Sequence, residues 1–438
     1  MTKSYLRYAI AVIFFANFLS YFDRQIVSVL EEELTKVFHM DKEEFGLLVS
    51  AFTIGYMVFA PIVGFMTDRY KRTRIFAVCI FIWSLATIGS GLAGFGHPPS
   101  KHVLYAMRFF IGIGEAGCLV IGPTLISDYF TREVRGRALS IFFLALPLGG
   151  AAGYIVGGFI AQHLGWERAF YFAGAPGFLA CVLVWILTEP ARGSSEAPAE
   201  GAAAEVGAHG AHGPGGGAKV KGFRPYLSLL KNRTLLFVIF AQAFAVIFLA
   251  PLMHFGVGYF QAKYTLDKAK ASLMLGGIAI VAGALGNSLS GLIGDRLAKR
   301  IKGAYAKMAG FAFAIGLPWL LLGFLSEPKI VVLPALALGA FCYFLCMPAV
   351  NTQIANCVSP QQRAMAYGLA VFILHLLGDT SAPPIFGKIA ESIGTQKSFI
   401  IFSFTLLPAS ACCFIAARNA ARDEARAAEA SKPVTPTT

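Results

Sequence analysis

Charged side chains are scarce in this chain: Asp, Glu, Lys and Arg make up 14% of its 438 residues, against about a quarter in soluble proteins. Apolar residues reach 56% and the mean hydropathy is +0.65, which excludes an ordinary water-soluble domain. Catalytic patterns are missing as well. No Gly-x-Ser-x-Gly elbow, His-Glu-x-x-His pair or nucleotide loop occurs, so the chain is not expected to be an enzyme or to need a cofactor. Metal-ligand spacing is also lacking. Cys79, Cys118, Cys181, Cys342, Cys346, Cys357, Cys412 and Cys413 all lie in apolar segments and serve as small apolar fillers. His209 and His212 have no further ligands nearby, so no metal site is expected.

What the chain does have is length without polarity. Twelve apolar runs, at 7–30, 44–67, 74–95, 102–129, 137–162, 168–188, 234–261, 271–294, 306–325, 330–356, 364–390 and 397–417, are each long enough to cross about 30 Å of hydrocarbon. They lack strict alternation, so helices are expected and a barrel is not. The first run is too long for the apolar core of a cleavable signal peptide. The expected fold is an all-α polytopic membrane protein of twelve transmembrane helices in two pseudo-symmetric six-helix bundles.

A formal charge of +13 raises the question of nucleic acid. Its placement points elsewhere. If the N-terminus is cytoplasmic, 25 of the 37 Lys and Arg fall in cytoplasmic loops and termini and 10 in the opposite loops. That bias orients the protein in a cell (inner) membrane with both termini cytoplasmic, and gives no reason to expect a nucleic-acid partner. A monomer is expected.

Residues 191–222, rich in Gly and Ala, read as a flexible cytoplasmic linker. They separate an N-terminal bundle (1–190) from a C-terminal bundle (223–420) and a tail (421–438). The halves are related. Gly64-Phe-Met-Thr-Asp68-Arg69 recurs as Gly291-Leu-Ile-Gly-Asp295-Arg296, offset by 227 residues. Arg137-Ala-Leu recurs as Arg363-Ala-Met, offset by 226. Parallel repeats of this kind place a substrate path near the midplane and work by rocking. Gly64 is expected to allow close helix approach, and Asp68 to reach a neighbouring helix N-terminus.

Four ionisable residues lie at membrane depth, where charge is expensive and ordinarily faces a bundle interior or a water-filled path. Asp23 lies eight residues before the first span ends near Glu31, and Arg108 seven after the fourth begins near Lys101. These are depths of about 12 and 10 Å at helical rise. Asp23 is therefore expected beside Arg108, with Glu115 two turns deeper on nearly the same face of the fourth span. Burial penalises a charged carboxylate and a guanidinium favours it, so small movements would shift a proton. A purely structural pair is the alternative. Arg24, about 100° around the helix from Asp23, has a phosphate or another acid as possible partner. His375 and Asp379, four residues apart, form either a second protonation site or a structural pair. Small residues crowd Gly149 to Gly158.

The paired Gly64–Arg69 and Gly291–Arg296 loops resemble the cytoplasmic loop motif of the major facilitator superfamily, although Lys71 replaces its usual Gly. In that family the residue matching Asp68 latches the cytoplasmic gate. The stretches Asn17-Phe-Leu-Ser-Tyr21-Phe-Asp23-Arg24, Gly55-Tyr56-Met57-Val58-Phe59-Ala60-Pro61, Gly112-Ile-Gly114-Glu115-Ala116, Ala145-Leu-Pro147-Leu-Gly149, Gly153-Tyr154-Ile155-Val156-Gly157 and His375-Leu-Leu-Gly378-Asp379 are similar to the spinster branch. That resemblance implies alternating-access transport of lysophospholipids or sphingosine-1-phosphate-like amphiphiles, and proton coupling for several members. Its expected partners are such a lipid, protons and the bilayer. On this reading Asp23, Arg108 and Glu115 couple protons. Substrate would meet Arg24, Arg108, Asn17, Tyr21, Tyr154, His375 and Asp379. Gly64, Asp68, Arg69, Asp295, Arg296, Arg137 and Arg363 would form the gate. A transporter of a drug, sugar or small organic anion is the second reading, and a lipid-modifying membrane enzyme a third that no motif supports.

Overall fold

The computed structural model describes residues 2–94, 100–130, 132–190, 229–358 and 363–429. The expected linker at 191–222 lies outside them. Among the described residues the chain is helical throughout, and twelve stretches are long and apolar enough to cross a membrane. In order they are α1 (Lys3–Val29), the short α2 (Glu31–Val37), α3 (Lys42–Arg69), α4 (Arg72–Leu92), α5 (Lys101–Tyr129), α6 (Arg132–Leu164), α7 (Trp166–Trp185), α8 (Arg233–Tyr264), α9 (Lys268–Ala298), α10 (Ala304–Leu325), α11 (Lys329–Asn356), α12 (Arg363–Leu374), α13 (Ala382–Ile393), α14 (Thr395–Ser403) and α15 (Leu406–Glu429). The eleventh span joins α12 to α13 through a π-helical turn, His375–Asp379, and the twelfth joins α14 to α15. Only α2, which carries Glu31, Glu32 and Glu33, has no counterpart among the expected spans.

Local chemistry sets the ends. Asp41 caps α3 in a capping box with Glu44, each side chain bonding the other's backbone N–H. Gly165 and Gly394, at φ of 98° and 90°, separate consecutive spans where a side chain would be strained. Prolines such as Pro61, Pro123 and Pro147 sit inside helices, as neighbouring spans permit in a membrane.

The chain forms two compact units: Met1–Gly216 with Met253–Gly276, and Gly217–Leu252 with Gly277–Thr438. In the first, α3 packs on α5, α4 on α7 and α5, and α1 on α6. Trp83, Phe76, Phe142 and Phe170 are fully buried among these helices. Crossings are close where glycines meet backbone. A Cβ at Gly112 of α5 would lie 2.0 Å from the Phe52 carbonyl of α3, and one at Gly153 of α6 would lie 2.5 Å from the Phe22 carbonyl of α1. In the second unit α10 packs on α11 and α15, around the buried rings of Phe313, Phe324 and Phe386. Large apolar side chains such as Leu179, Val182, Leu285 and Phe311 stand exposed on the outer helix faces, as lipid contact requires.

Candidate functional site: a buried charge cluster

Helix α1 supplies a polar stripe to the first unit. Asn17, Ser20 and Asp23 are fully or almost fully buried, and they approach three different helices. Asn17 donates through Nδ2 to the Phe142 carbonyl at 2.9 Å, tying α1 to α6. Asp23 accepts from the Thr87 hydroxyl of α4 at 2.8 Å. Ser20 donates to Glu115 Oε2 of α5 at 2.9 Å. The same oxygen takes Arg24 Nε at 2.6 Å, an ion pair whose acid is fully buried and whose base is 20% exposed.

Asp23 and Glu115 both act electrostatically on Arg108, as expected, but the direct contacts differ from the expected pairing. Glu115 is partnered by Arg24 rather than by Arg108, and the hydrogen bond to Asp23 comes from Thr87 rather than from Arg108. The two residues of α1, 100° apart, divide their attention. Asp23 turns to α4 and Arg24 to α5.

Arg108 is left in a distinct position. It is 1% exposed, and its Nε and Nη1 have no hydrogen-bond partner among the described residues. Its guanidinium carbon lies 5.0 Å from the Phe52 ring centroid. Arg24 shares that ring at 5.1 Å and also stands 5.0 Å from Tyr21 and 5.4 Å from Tyr56. A desolvated cation–π contact is worth up to about 2 kcal/mol. Burying an ion costs several kcal/mol, so rings alone do not satisfy Arg108. Asp23 Oδ1 and Glu115 Oε1 also lack hydrogen-bond partners among the described residues. The cluster therefore pairs two acids with two bases, formally neutral, and retains unused donors and acceptors. Such a set can take an anionic group, or exchange protons as partners change.

Other expected residues fall in varied places. Tyr21 is buried beneath Arg24. Tyr154, also buried, donates its hydroxyl to the Met253 carbonyl at 2.6 Å. His375 Nδ1 and Asp379 Oδ2 lie 2.6 Å apart across the π-helical turn of the second unit, both partly exposed. Arg69 stacks on Phe65 at 3.8 Å, Asp295 accepts from the Tyr305 hydroxyl at 2.5 Å, and Arg296 is exposed. The side chains of Asp68, Arg137 and Arg363 lie outside the described residues. Gly64 departs from expectation, because a Cβ there would meet nothing nearer than Val120 at 3.9 Å. The tight crossings are at Gly112 and Gly153 instead.

Sequence reasoning missed a second network. Arg72 is buried and donates to Asp128 at 2.6 Å and Glu189 at 2.8 Å, joining the ends of α4, α5 and α7. Glu189 also accepts from the Thr73 N–H at 3.0 Å. Phe52, Tyr56 and Thr87 were missed too. The only signal for Tyr56 was its place beside Gly55 in a stretch already singled out.

The fold that carries this cluster has counterparts among known proteins. The sequence profile of the Major Facilitator Superfamily matches residues 13–379. The protein spinster of Drosophila melanogaster is 29% identical over 88% of this chain, and the chain spans 62% of that protein's length. The sphingosine-1-phosphate transporter SPNS2 of Danio rerio is 29% identical, over 89% of this chain and 77% of its own. The crystal structure of a bacterial homologue of the human lysosomal transporter spinster superposes with a TM-score of 0.84 at 21% identity, covering 97% of this chain and 99% of that one. Similar to spinster proteins along most of its length, this chain belongs to the major facilitator superfamily of membrane transporters.

Proposed function

We propose that this protein moves an anionic amphiphile, a lysophospholipid or a sphingosine-1-phosphate-like lipid, across a cell membrane by alternating access driven by protons. The observation that carries the reading is Arg108: a buried guanidinium with two donor nitrogens unpartnered, next to an Arg24–Glu115 pair. A phosphate head group supplies the acceptors that Arg108 lacks, and charge-assisted hydrogen bonds to phosphate are among the strongest a protein makes. Asp23 and Glu115 carry the protons. When Glu115 is protonated its hold on Arg24 weakens, and Arg24 becomes a second ligand for the head group. The relative named for sphingosine-1-phosphate transport supports the lipid class.

Asn17, Tyr21 and Tyr154 shape the α1–α6 side of this path, and His375 with Asp379 offers a further polar contact from the eleventh span. Arg69, Asp295 and Arg296, with Gly64, Asp68, Arg137 and Arg363, belong to the gating loops. The excess of Lys and Arg in alternate loops supports cytoplasmic termini.

The test is uptake of a lysophospholipid series and sphingosine-1-phosphate into proteoliposomes under an imposed pH gradient. Asp23→Asn is expected to abolish pH-driven accumulation while binding persists, and Arg108→Ala to abolish binding of phosphate-bearing lipids. Unchanged accumulation by D23N removes Asp23 from the coupling role. Equal binding of anionic and uncharged head groups removes Arg108 from recognition.

A further inference from the structure

Met253–Gly276, the end of α8 and the start of α9, belongs to the first compact unit. Beside it one carboxyl occupies an unusual place. Glu31 opens α2, beyond the end of the first span, yet is only 9% exposed. Its Oε2 has no hydrogen-bond partner among the described residues, and a Cβ added at Gly258 would lie 2.6 Å from that oxygen. The carboxyl is thus pressed against the α8 backbone at a position only glycine leaves open.

Charged groups face it from every element around. Glu32 and Glu33 share α2, Lys42 opens α3, and Lys268 opens α9. Lys268 is buried and paired with Glu33, and Gln261 of α8 donates to Glu32 at 3.2 Å. One turn back along α8, His254 Nδ1 lies 2.7 Å from the Ser28 hydroxyl. The ammonium that stands nearby therefore serves Glu33, while an oxygen of Glu31 goes without a hydrogen bond. Burial pushes the Glu31 carboxyl up to about 8; Lys42 and Lys268 pull it down, and Glu32 and Glu33 add to the rise.

We propose that Glu31 is a proton-binding site separate from the Asp23–Glu115 cluster, and that its protonated form fastens Met253–Gly276 against α1 and α2. A neutral carboxyl lies against Gly258 without the desolvation cost of a charge, whereas a carboxylate there lacks the hydrogen bonds its charge demands. The sign follows from linkage. Released into water, Glu31 titrates at its ordinary value of 4.5; fastened, it holds its proton up to about 8. Fastening is fully favoured below the ordinary value and lost as pH rises through the upper one. Across that window the ratio of released to fastened segment climbs about tenfold per pH unit.

This goes beyond lipid transport, and its test involves no substrate, so the two fail separately. Spin labels at Lys36→Cys and Lys270→Cys, both well exposed, report the separation of α2 from the start of α9 in the full-length protein in nanodiscs. Pulsed electron spin resonance should show one short distance at pH 5. A longer population should grow about tenfold per unit toward pH 8. With Glu31→Gln the short distance should persist to pH 9, and with His254→Asn the wild-type slope should remain. A pH-independent wild type, an E31Q variant with the wild-type slope, or loss of the slope in H254N overturns the proposal. Should E31Q fail to fold, infrared titration of the Asp23→Asn/Glu115→Gln double variant, which keeps Glu31 and removes the other two proton-carrying acids, decides. A protonated carboxyl band that disappears between pH 7 and 9 supports the site, and no such band refutes it.

Discussion

At the scale of single residues, the sequence shows how deep a side chain lies but not which way its helix is turned. Counting from the helix ends places Asp23 and Arg108 at one level. How α5 and α1 are turned depends on close crossings with their neighbours, Gly112 of α5 on Phe52 of α3 and Gly153 of α6 on Phe22 of α1, which no count reveals. That rotation gives Glu115 to Arg24. The pairing has an energetic consequence. Removing one partner of a buried ion pair costs about 3–5 kcal/mol, because the other charge is stranded. Here the loss is smaller, since Arg24 keeps 20% exposure and three aromatic rings. Glu115→Gln is therefore expected to lower the Tm of the detergent-purified protein. The double variant Arg24→Gln with Glu115→Gln should recover at least half of that loss, because it strands nothing. A double variant less stable than both singles contradicts the pairing.

At the scale of helices, the spans are legible because hydrocarbon leaves few alternatives. An apolar run of twenty-odd residues must satisfy its own backbone, and the helix does so. Boundaries agree closely, as with 306–325 against Ala304–Leu325. Glycine roles are less legible. Gly64 and Gly112 both belong to stretches singled out beforehand, yet only Gly112 meets another backbone. The reason is geometric: whether a glycine faces a neighbour depends on helix rotation, which composition does not encode. The two classes should separate under substitution. Gly112→Ala puts a methyl 2.0 Å from the Phe52 carbonyl, and a backbone atom cannot swing aside. Helices α3 and α5 must part, carrying Phe52 and Tyr56 away from Arg108 and Glu115. A marked fall in Tm and loss of transport are expected. Gly150→Ala, with nothing within 4 Å, should be neutral or gain up to about 1 kcal/mol from helix propensity. Equal Tm values for G112A and wild type would show that the crossing is looser than described.

At the scale of the whole molecule, the internal repeat divides the sequence into halves, while packing assigns Met253–Gly276 to the first unit. The segment is held both by apolar packing, as of Phe255 on Phe45, and by polar pairs, Ser28 with His254 and Glu33 with Lys268, and hydropathy does not register which partners these are. They sit where α3 begins; the Arg72 network sits where α3 ends, so the first unit carries an ionisable lock at either end. The two respond to pH with opposite sign. Burial raises the Glu189 carboxyl, but Arg72 and the Thr73 N–H outweigh it and leave its value lowered. Stability from Glu189 is therefore present above the ordinary carboxylate range and lost as pH falls through the lowered value. Glu31 contributes most below 4.5 and loses its contribution as pH rises toward about 8. Thermal stability measured across pH 3 to 9 should pass through a maximum near pH 5. Arg72→Gln should flatten the acid limb and Glu31→Gln should reduce the decline between pH 5 and 8, each leaving the other limb in place. A single substitution that altered both limbs equally would mean that the two ends do not titrate independently, and the assignment of one carboxylate to each would fail.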